Sequence, residues 1–292
     1  MTYPGTLLKR QQLMARKELG QNFLSDPKAA EKIVNKAAIS ENDLVLEIGP
    51  GLGALTVHAA LQAKRVVAVE KDTRLAGLLT GELDLAGIDN VELINNDILK
   101  QDLEAIAKDE KMVVIGNLPY NISSQVLFKL VENRHLVKRA ILMFQKELAQ
   151  RIAAPPGGRD YGRLSAVIQY CSTVKTVSDV PAHLFFPKPA VDSRVIEVTF
   201  SKETRFSGEK ERFLFKVIKA AFSKRRKTLR NSLAGSELGI DTSQSRMALE
   251  NAGIDPARRA ETLGVEEYTE LTEALWTMGM EGKDEQRADQ DR

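Results

Sequence analysis

Short apolar runs recur along the first half of this chain at intervals that leave room for one helix between each pair. They are Leu44–Ile48, Arg65–Glu70, Val91–Asn95, Met112–Gly116 and Ala140–Phe144. The intervening segments predict helices from about Ala54, over Thr73–Ala86, weakly near Leu103, and over Ser123–Glu132. Continuous apolar strands separated by helices dictate a parallel sheet buried on both faces, because parallel neighbours need a crossover connection. Ser25-Asp26-Pro27 predicts an earlier helix start, running to about Ala38. Pro155-Pro156-Gly157-Gly158 breaks the alternation and reads as a loop. Beyond it, a helix from Leu164 precedes strands near Thr173–Val180 and Arg194–Phe200, which suggest an antiparallel edge. From about Ser207 the spacing turns helical: Phe213, Val217 and Ala221 share one face, and Leu271, Leu275 and Trp276 mark a last amphipathic helix. The expected organisation is α/β, with a flexible basic arm over 1–18, a sheet domain over 19–204, a smaller all-helical domain over 205–280 and a disordered tail over 281–292.

Composition narrows the function classes. Hydrophobic residues make up 43% of the 292, enough for a real core, and the net charge is only +2. Basic residues are clustered: Lys9, Arg10, Arg16 and Lys17 all precede the first acid, Glu18, and Lys224-Arg225-Arg226-Lys227 is followed by Arg230. A single cysteine, Cys171, excludes an internal disulfide and agrees with a reducing compartment. No apolar run approaches the ~18 residues of a membrane span, and the N-terminus lacks a signal-peptide core. A cytoplasmic protein without membrane association is expected. His58, His135 and His183 are far apart, so no metal site is expected.

Strand ends carry the chemistry. Met112–Gly116 runs into Asn117-Leu118-Pro119-Tyr120. An Asn amide oxygen accepts one N–H of an exocyclic amine, and a main-chain carbonyl near the proline accepts the other. Pro119 stiffens the turn and biases Leu118 away from helix. Tyr120 offers a stacking face for a base. The same four residues also suit an ordinary turn.

The first strand ends in Glu47-Ile48-Gly49-Pro50-Gly51-Leu52-Gly53-Ala54, whose glycines allow close approach to a ligand. Glu70 ends the second strand and suits both hydroxyls of a ribose. Asp97 follows the third and suits an adenine amine. By glycine spacing alone, NAD and S-adenosyl-L-methionine are not separated.

Together these residues resemble the ribosomal RNA adenine dimethyltransferase family, closest to its bacterial small-subunit (16S) members. The likeness spans about Leu19 to Trp276. It includes Leu19-Gly20-Gln21-Asn22-Phe23-Leu24, Glu47–Thr56, Asn117–Tyr120, Tyr161-Gly162-Arg163-Leu164-Ser165, the run Phe185–Ser193, Arg225–Asn231 and Gly253-Ile254-Asp255-Pro256. It implies a Rossmann-like methyltransferase sheet with S-adenosyl-L-methionine held by Asn22, Leu24, Gly49, Gly51, Glu70, Asp97 and Asn117. Asn22 and Leu24 come from the likeness alone, as does Phe185 as a second aromatic face for the target base. The implied reaction dimethylates two adjacent adenines of 16S rRNA in the small ribosomal subunit. Catalysis would rest on Asn117, Leu118, Pro119, Tyr120 and Phe185. Lys224, Arg225, Arg226, Lys227 and Arg230 are expected on a helix, contacting RNA phosphates. A monomer is expected.

Overall fold

The computed structural model describes residues 2–201, 203–224 and 226–279; the expected tail over 281–292 lies outside them. Helices run over Pro4–Arg10 (α1), Pro27–Lys36 (α2), Thr56–Ala60 (α3), Thr73–Leu85 (α4), Leu103–Ala107 (α5), Ser123–Glu132 (α6), Lys146–Ala153 (α7), Arg163–Cys171 (α8), Gly208–Ala221 (α9), Leu229–Leu233 (α10), Thr242–Asn251 (α11) and Val265–Thr277 (α12). Strands are Phe23–Leu24 (β1), Leu44–Ile48 (β2), Arg65–Glu70 (β3), Val91–Asn95 (β4), Met112–Asn117 (β5), Val137–Gln145 (β6), Ser172–Val180 (β7), Phe185–Phe186 (β8) and Ser193–Phe200 (β9). No helix among the described residues is long and apolar enough to cross a membrane.

The chain divides into two compact units, residues up to Ala149 with Ser172–Phe200, and Gln150–Cys171 with the described residues from Ser201 onward. The first holds a seven-stranded sheet in the order β4-β3-β2-β5-β6-β9-β7. β4 through β6 pair in parallel, and β9 pairs antiparallel with both β6 and β7. The expected parallel sheet with an antiparallel edge is what forms. β2 and the first five residues of β5 are buried throughout, as the continuous apolar runs require. Chain order reverses between β2 and β5, and such a switch point opens a crevice beyond the carboxyl ends of the strands. Gly116 permits the close pairing there: a Cβ would stand 2.8 Å from the Ile48 carbonyl oxygen.

Two segments differ from the sequence expectation. The N-terminal residues contain an ordered helix rather than an irregular arm. Pro4 presets the first turn of α1, and Leu7 and Leu8 are buried with Phe23, Leu52 and Leu75. Residues 150–171 belong with the helices and not with the sheet. The reason is non-local: the Tyr170 hydroxyl accepts from the Phe206 N–H at 2.9 Å, and its ring meets Phe215 edge-on.

In the second unit, α12 buries Tyr268, Leu271 and Leu275, and Trp276 packs edge-on against Phe213 of α9. Lys224, Arg226 and Lys227 lie in the turn between α9 and α10 and not on a helix, while Arg230 lies on α10; Arg225 is outside the described residues. Consecutive like charges gain nothing from helical stacking. The Lys224 ammonium instead donates to the carbonyls of Asn231 and Ala234, both at 3.3 Å.

Candidate active site

A cavity of about 430 Å³ opens at the carboxyl ends of β2, β3 and β5. Asn22, Leu24, Gly49, Gly51, Glu70, Asp97 and the whole Asn117–Tyr120 segment line it. The loop after β2 takes left-handed backbone at Gly49 (φ +66°) and Gly51 (φ +58°). At Gly51 the missing side chain is itself structural, since a Cβ would stand 3.1 Å from the Phe23 ring. The Gly51 N–H donates to Glu70 Oε2 at 3.0 Å, and the Asp72 N–H donates to Oε1 at 2.8 Å. Glycine loop and carboxylate therefore fix each other. Burial pushes the Glu70 carboxyl up, and the two N–H groups oppose it. Each oxygen retains acceptor capacity.

Asp97 accepts from Lys71 Nζ at 2.9 Å and from the Leu99 N–H at 3.0 Å. The lysine holds its carboxyl below the usual range despite partial burial. The loop from Gly20 to Asn22 closes the cavity's other side. Gln21 Nε2 donates to Asp72 Oδ2 at 3.0 Å, which ties that loop to the end of β3.

At the end of β5 the hydrogen-bonding capacity of the Asn117–Tyr120 segment resolves to particular atoms. Asn117 Nδ2 donates to the Asn22 carbonyl at 2.9 Å. That bond settles which way the amide faces and leaves Oδ1 without a donor among the described residues. The Pro119 carbonyl is occupied, accepting from the Ile122 N–H at 3.2 Å and Ser123 Oγ at 2.8 Å. The Leu118 carbonyl has no such partner among the described residues and is left open to accept. The Leu118 N–H donates to the Met143 carbonyl at 3.1 Å and anchors this segment to β6. Tyr120 sits on the cavity wall with its hydroxyl 3.4 Å from Ser193 Oγ. A pair of open acceptors beside a tyrosine ring is suited to a primary amine on a flat ring.

The chain matches the ribosomal RNA adenine dimethylases over residues 12–276. The chain belongs to that family. The dimethylase is 74% identical over 278 residues to a ribosomal RNA small subunit methyltransferase A of Desulforapulum autotrophicum, covering 95% of this chain and 98% of the relative. It is 41% identical to one of Shouchella clausii, covering 93% of each. Its fold resembles the solved dimethyladenosine transferase of Plasmodium falciparum, with a TM-score of 0.76, 28% identity, and coverage of 88% of this chain and 98% of that one. The solved 23S rRNA methyltransferase ErmE follows at a TM-score of 0.66 and 27% identity, with coverage of 87% and 99%.

The dimethylase does not place every expected residue at the cavity. Phe185 is 3% exposed, pairs with Leu24, and packs in the core with Val113 and Val195. It backs the cavity wall and presents no face to it. By position alone, ahead of a proline-rich loop, Phe185 and Phe186 read as core residues, and Phe185 is one; its stacking role came from the likeness. Lys224, Arg226, Lys227 and Arg230 lie in the second unit, with Arg226 and Lys227 exposed and Arg230 half-buried. Among the described residues no group of three or more His, Cys, Asp or Glu side chains is placed to hold a metal ion.

The dimethylase also carries contributions that sequence reasoning missed. Thr2, Tyr3 and Pro4 line the cavity. Pro4 followed by Leu7 and Leu8 was the available signal, too short to separate from an irregular arm. Glu47 is 1% exposed at the cavity, with Oε2 lacking any hydrogen-bond partner. Burial pushes its carboxyl up to about 8, and the Glu70 charge adds to the effect.

Proposed function

We propose that this dimethylase uses S-adenosyl-L-methionine to place two methyl groups on N6 of each of two adjacent adenines near the 3′ end of 16S rRNA in the small ribosomal subunit. The names of the relatives at 74% and 41% identity support the small-subunit substrate. The observation that carries the chemistry is the paired open acceptor, Asn117 Oδ1 and the Leu118 carbonyl.

The residues fit the donor. Glu70 keeps lone pairs for two ribose hydroxyls, and Asp97 keeps them for an adenine amine. The glycine loop leaves room for close approach, and about 430 Å³ is ample for a molecule of that size. The donor supplies a methyl already electrophilic on a sulfonium. What the protein must supply is a nucleophile, because the adenine amine is conjugated and weak. Accepting both N–H bonds favours a pyramidal nitrogen whose lone pair points away from the two acceptors. Positioning and electrostatics then do the work, with no covalent intermediate on the protein. Tyr120 offers stacking of about 1–3 kcal/mol against the few kcal/mol needed to extrude the base. Once the methylated nitrogen sheds one proton to solvent it keeps one N–H, and one of the two acceptors suffices.

Exposed Arg226 and Lys227, with Arg230, supply phosphate contacts on this reading, and the protein acts as a monomer. The test is to incubate the enzyme with unmodified small-subunit particles and labelled donor, then map modified nucleotides by mass. Dimethylated adenine at an adjacent pair near the 3′ end is expected. Label confined to large-subunit RNA, or a single monomethylated adenine, overturns the proposal.

A further inference from the structure

Tyr3, Phe186, Lys9 and Arg10 form a surface beside the main cavity, and of the four only Tyr3 also lines that cavity. They line an open groove that shares Tyr3 with the main cavity. Tyr3 is 52% exposed, and its ring lies 6.0 Å from the Phe186 ring at a 59° tilt. Gly5 makes this pairing possible. A Cβ there would stand 3.0 Å from Tyr3 Cε1 and 3.2 Å from Phe186 Cζ. The groove is rigidly built. Leu7 and Leu8 are buried beneath α1, and Glu82 accepts from the Thr2 N–H at 3.0 Å and from its hydroxyl at 3.1 Å. Phe186 pairs across β8 with Phe23, itself on the cavity wall.

Its charge is of one sign. α1 contains no acidic residue, and the Lys9 and Arg10 side chains are exposed with no ion pair or hydrogen bond to a described residue. Cations in the last turn of a helix also favour its dipole, but that needs neither the aromatic pair nor a groove. Aromatic faces beside unpaired cations are the combination that holds single-stranded nucleic acid, with bases stacked and phosphates neutralised.

We propose that this groove is a second RNA-contact surface, which takes nucleotides flanking the target adenine: a base against Tyr3 and Phe186, phosphates on Lys9 and Arg10. It rests on the rRNA reading above and adds a subsite to it. Sharing Tyr3 with the cavity puts the flanking nucleotide next to the one being modified.

The test uses full-length enzyme and unmodified small-subunit particles. The Lys9→Gln/Arg10→Gln double variant is compared with wild type for particle binding across a salt series, S-adenosyl-L-methionine affinity and Tm. Particle binding should weaken several-fold at low salt, and the log–log salt slope should flatten by about 1 to 2, as two lost phosphate contacts require. Donor affinity and Tm should hold. An unchanged slope, or a binding loss no larger than the loss of folded protein, overturns the proposal. A photo-crosslinking residue at position 3 (Tyr3→p-benzoylphenylalanine) should crosslink to RNA within a few nucleotides of the modified adenines. Crosslinks only to distant sites, or none, in a complex competent for methylation overturn it. If wild-type enzyme itself fails to methylate the particle, the parent reading fails instead, so the two failures are distinguishable.

Discussion

The side-chain amide of Asn117 donates to the main-chain carbonyl of Asn22 across 2.9 Å, although 95 residues separate them. This bond makes the loop after residue 20 a positioning element for the amide oxygen. Asn117→Ala removes one of the two proposed amine acceptors and should lower single-turnover methylation by about 10²-fold or more, the usual cost of one preorganised polar contact in an active site. Particle binding should persist, because phosphate contacts are untouched. Asn117→Asp keeps an acceptor but sets a carboxylate against the Asn22 carbonyl, so it should not restore the rate. Near-normal turnover in Asn117→Ala would remove the amine clamp from the mechanism.

Gly116 precedes that residue and touches backbone on the neighbouring strand. Gly116→Ala puts a methyl 2.8 Å from the Ile48 carbonyl oxygen, against main chain that has no easy way to yield. The strand ends must spread where Gly49 and Asn117 converge. A loss of about 1–3 kcal/mol in denaturant unfolding is expected, typical of overpacking, together with weaker donor binding by titration calorimetry. Unchanged stability would mean that the β2–β5 crevice is softer than its burial implies.

How much of this was legible in the sequence follows from which interactions are local. β2, β3, β5 and β6 were readable because strands buried on both faces are largely apolar, whereas β4, an edge strand with no buried residue, was readable from its place in the strand–helix alternation. That Glu70, Asp97 and Asn117 line one cavity was readable because Glu70 and Asn117 end β3 and β5 and Asp97 comes two residues after β4. That the Leu118 carbonyl rather than the Pro119 one stands open was not readable: the Ser123 hydroxyl and Ile122 N–H occupy the latter, and only the folded turn brings them there. Residues 150–171 join the helices through Tyr170 and Phe206, a pairing 36 residues apart. The basic run from Lys224 looked helical by composition, yet its first lysine turns back onto main-chain carbonyls.

Glu47 makes stability depend on pH in a direction opposite to most carboxyls. Its carboxyl titrates near 4.5 when unperturbed and at about 8 in the fold, because burial disfavours the charge. Between those values the native protein holds a proton that the unfolded chain has released. Stability from this group is therefore complete below about pH 4.5 and is lost as pH rises toward 8. Glu47→Gln keeps a neutral side chain of similar size. It should leave stability near pH 4.5 almost unchanged and raise it by a few kcal/mol near pH 8, since each tenfold change in an acid's dissociation constant corresponds to about 1.4 kcal/mol. Parallel stability-against-pH curves for the two proteins would show that Glu47 ionises freely in the fold.

Lys224 and Lys227 are both exposed cations in one turn, but only one has structural work. Lys224 Nζ donates to the Asn231 and Ala234 carbonyls at 3.3 Å and closes the carboxyl end of α10. The Lys227 side chain makes no hydrogen bond or ion pair to a described residue, though its main-chain N–H donates to the Lys224 carbonyl at 3.1 Å. Lys224→Gln should therefore cost about 0.5–1.5 kcal/mol in stability, the worth of ordinary hydrogen bonds. Lys227→Gln should cost none and instead lower the log–log salt slope of particle binding by about 1. Thermal melts and salt titrations on both variants separate the roles. If Lys227→Gln melts lower and binds with the wild-type slope, the turn contributes to folding alone, and phosphate contacts must come from elsewhere on the helical unit.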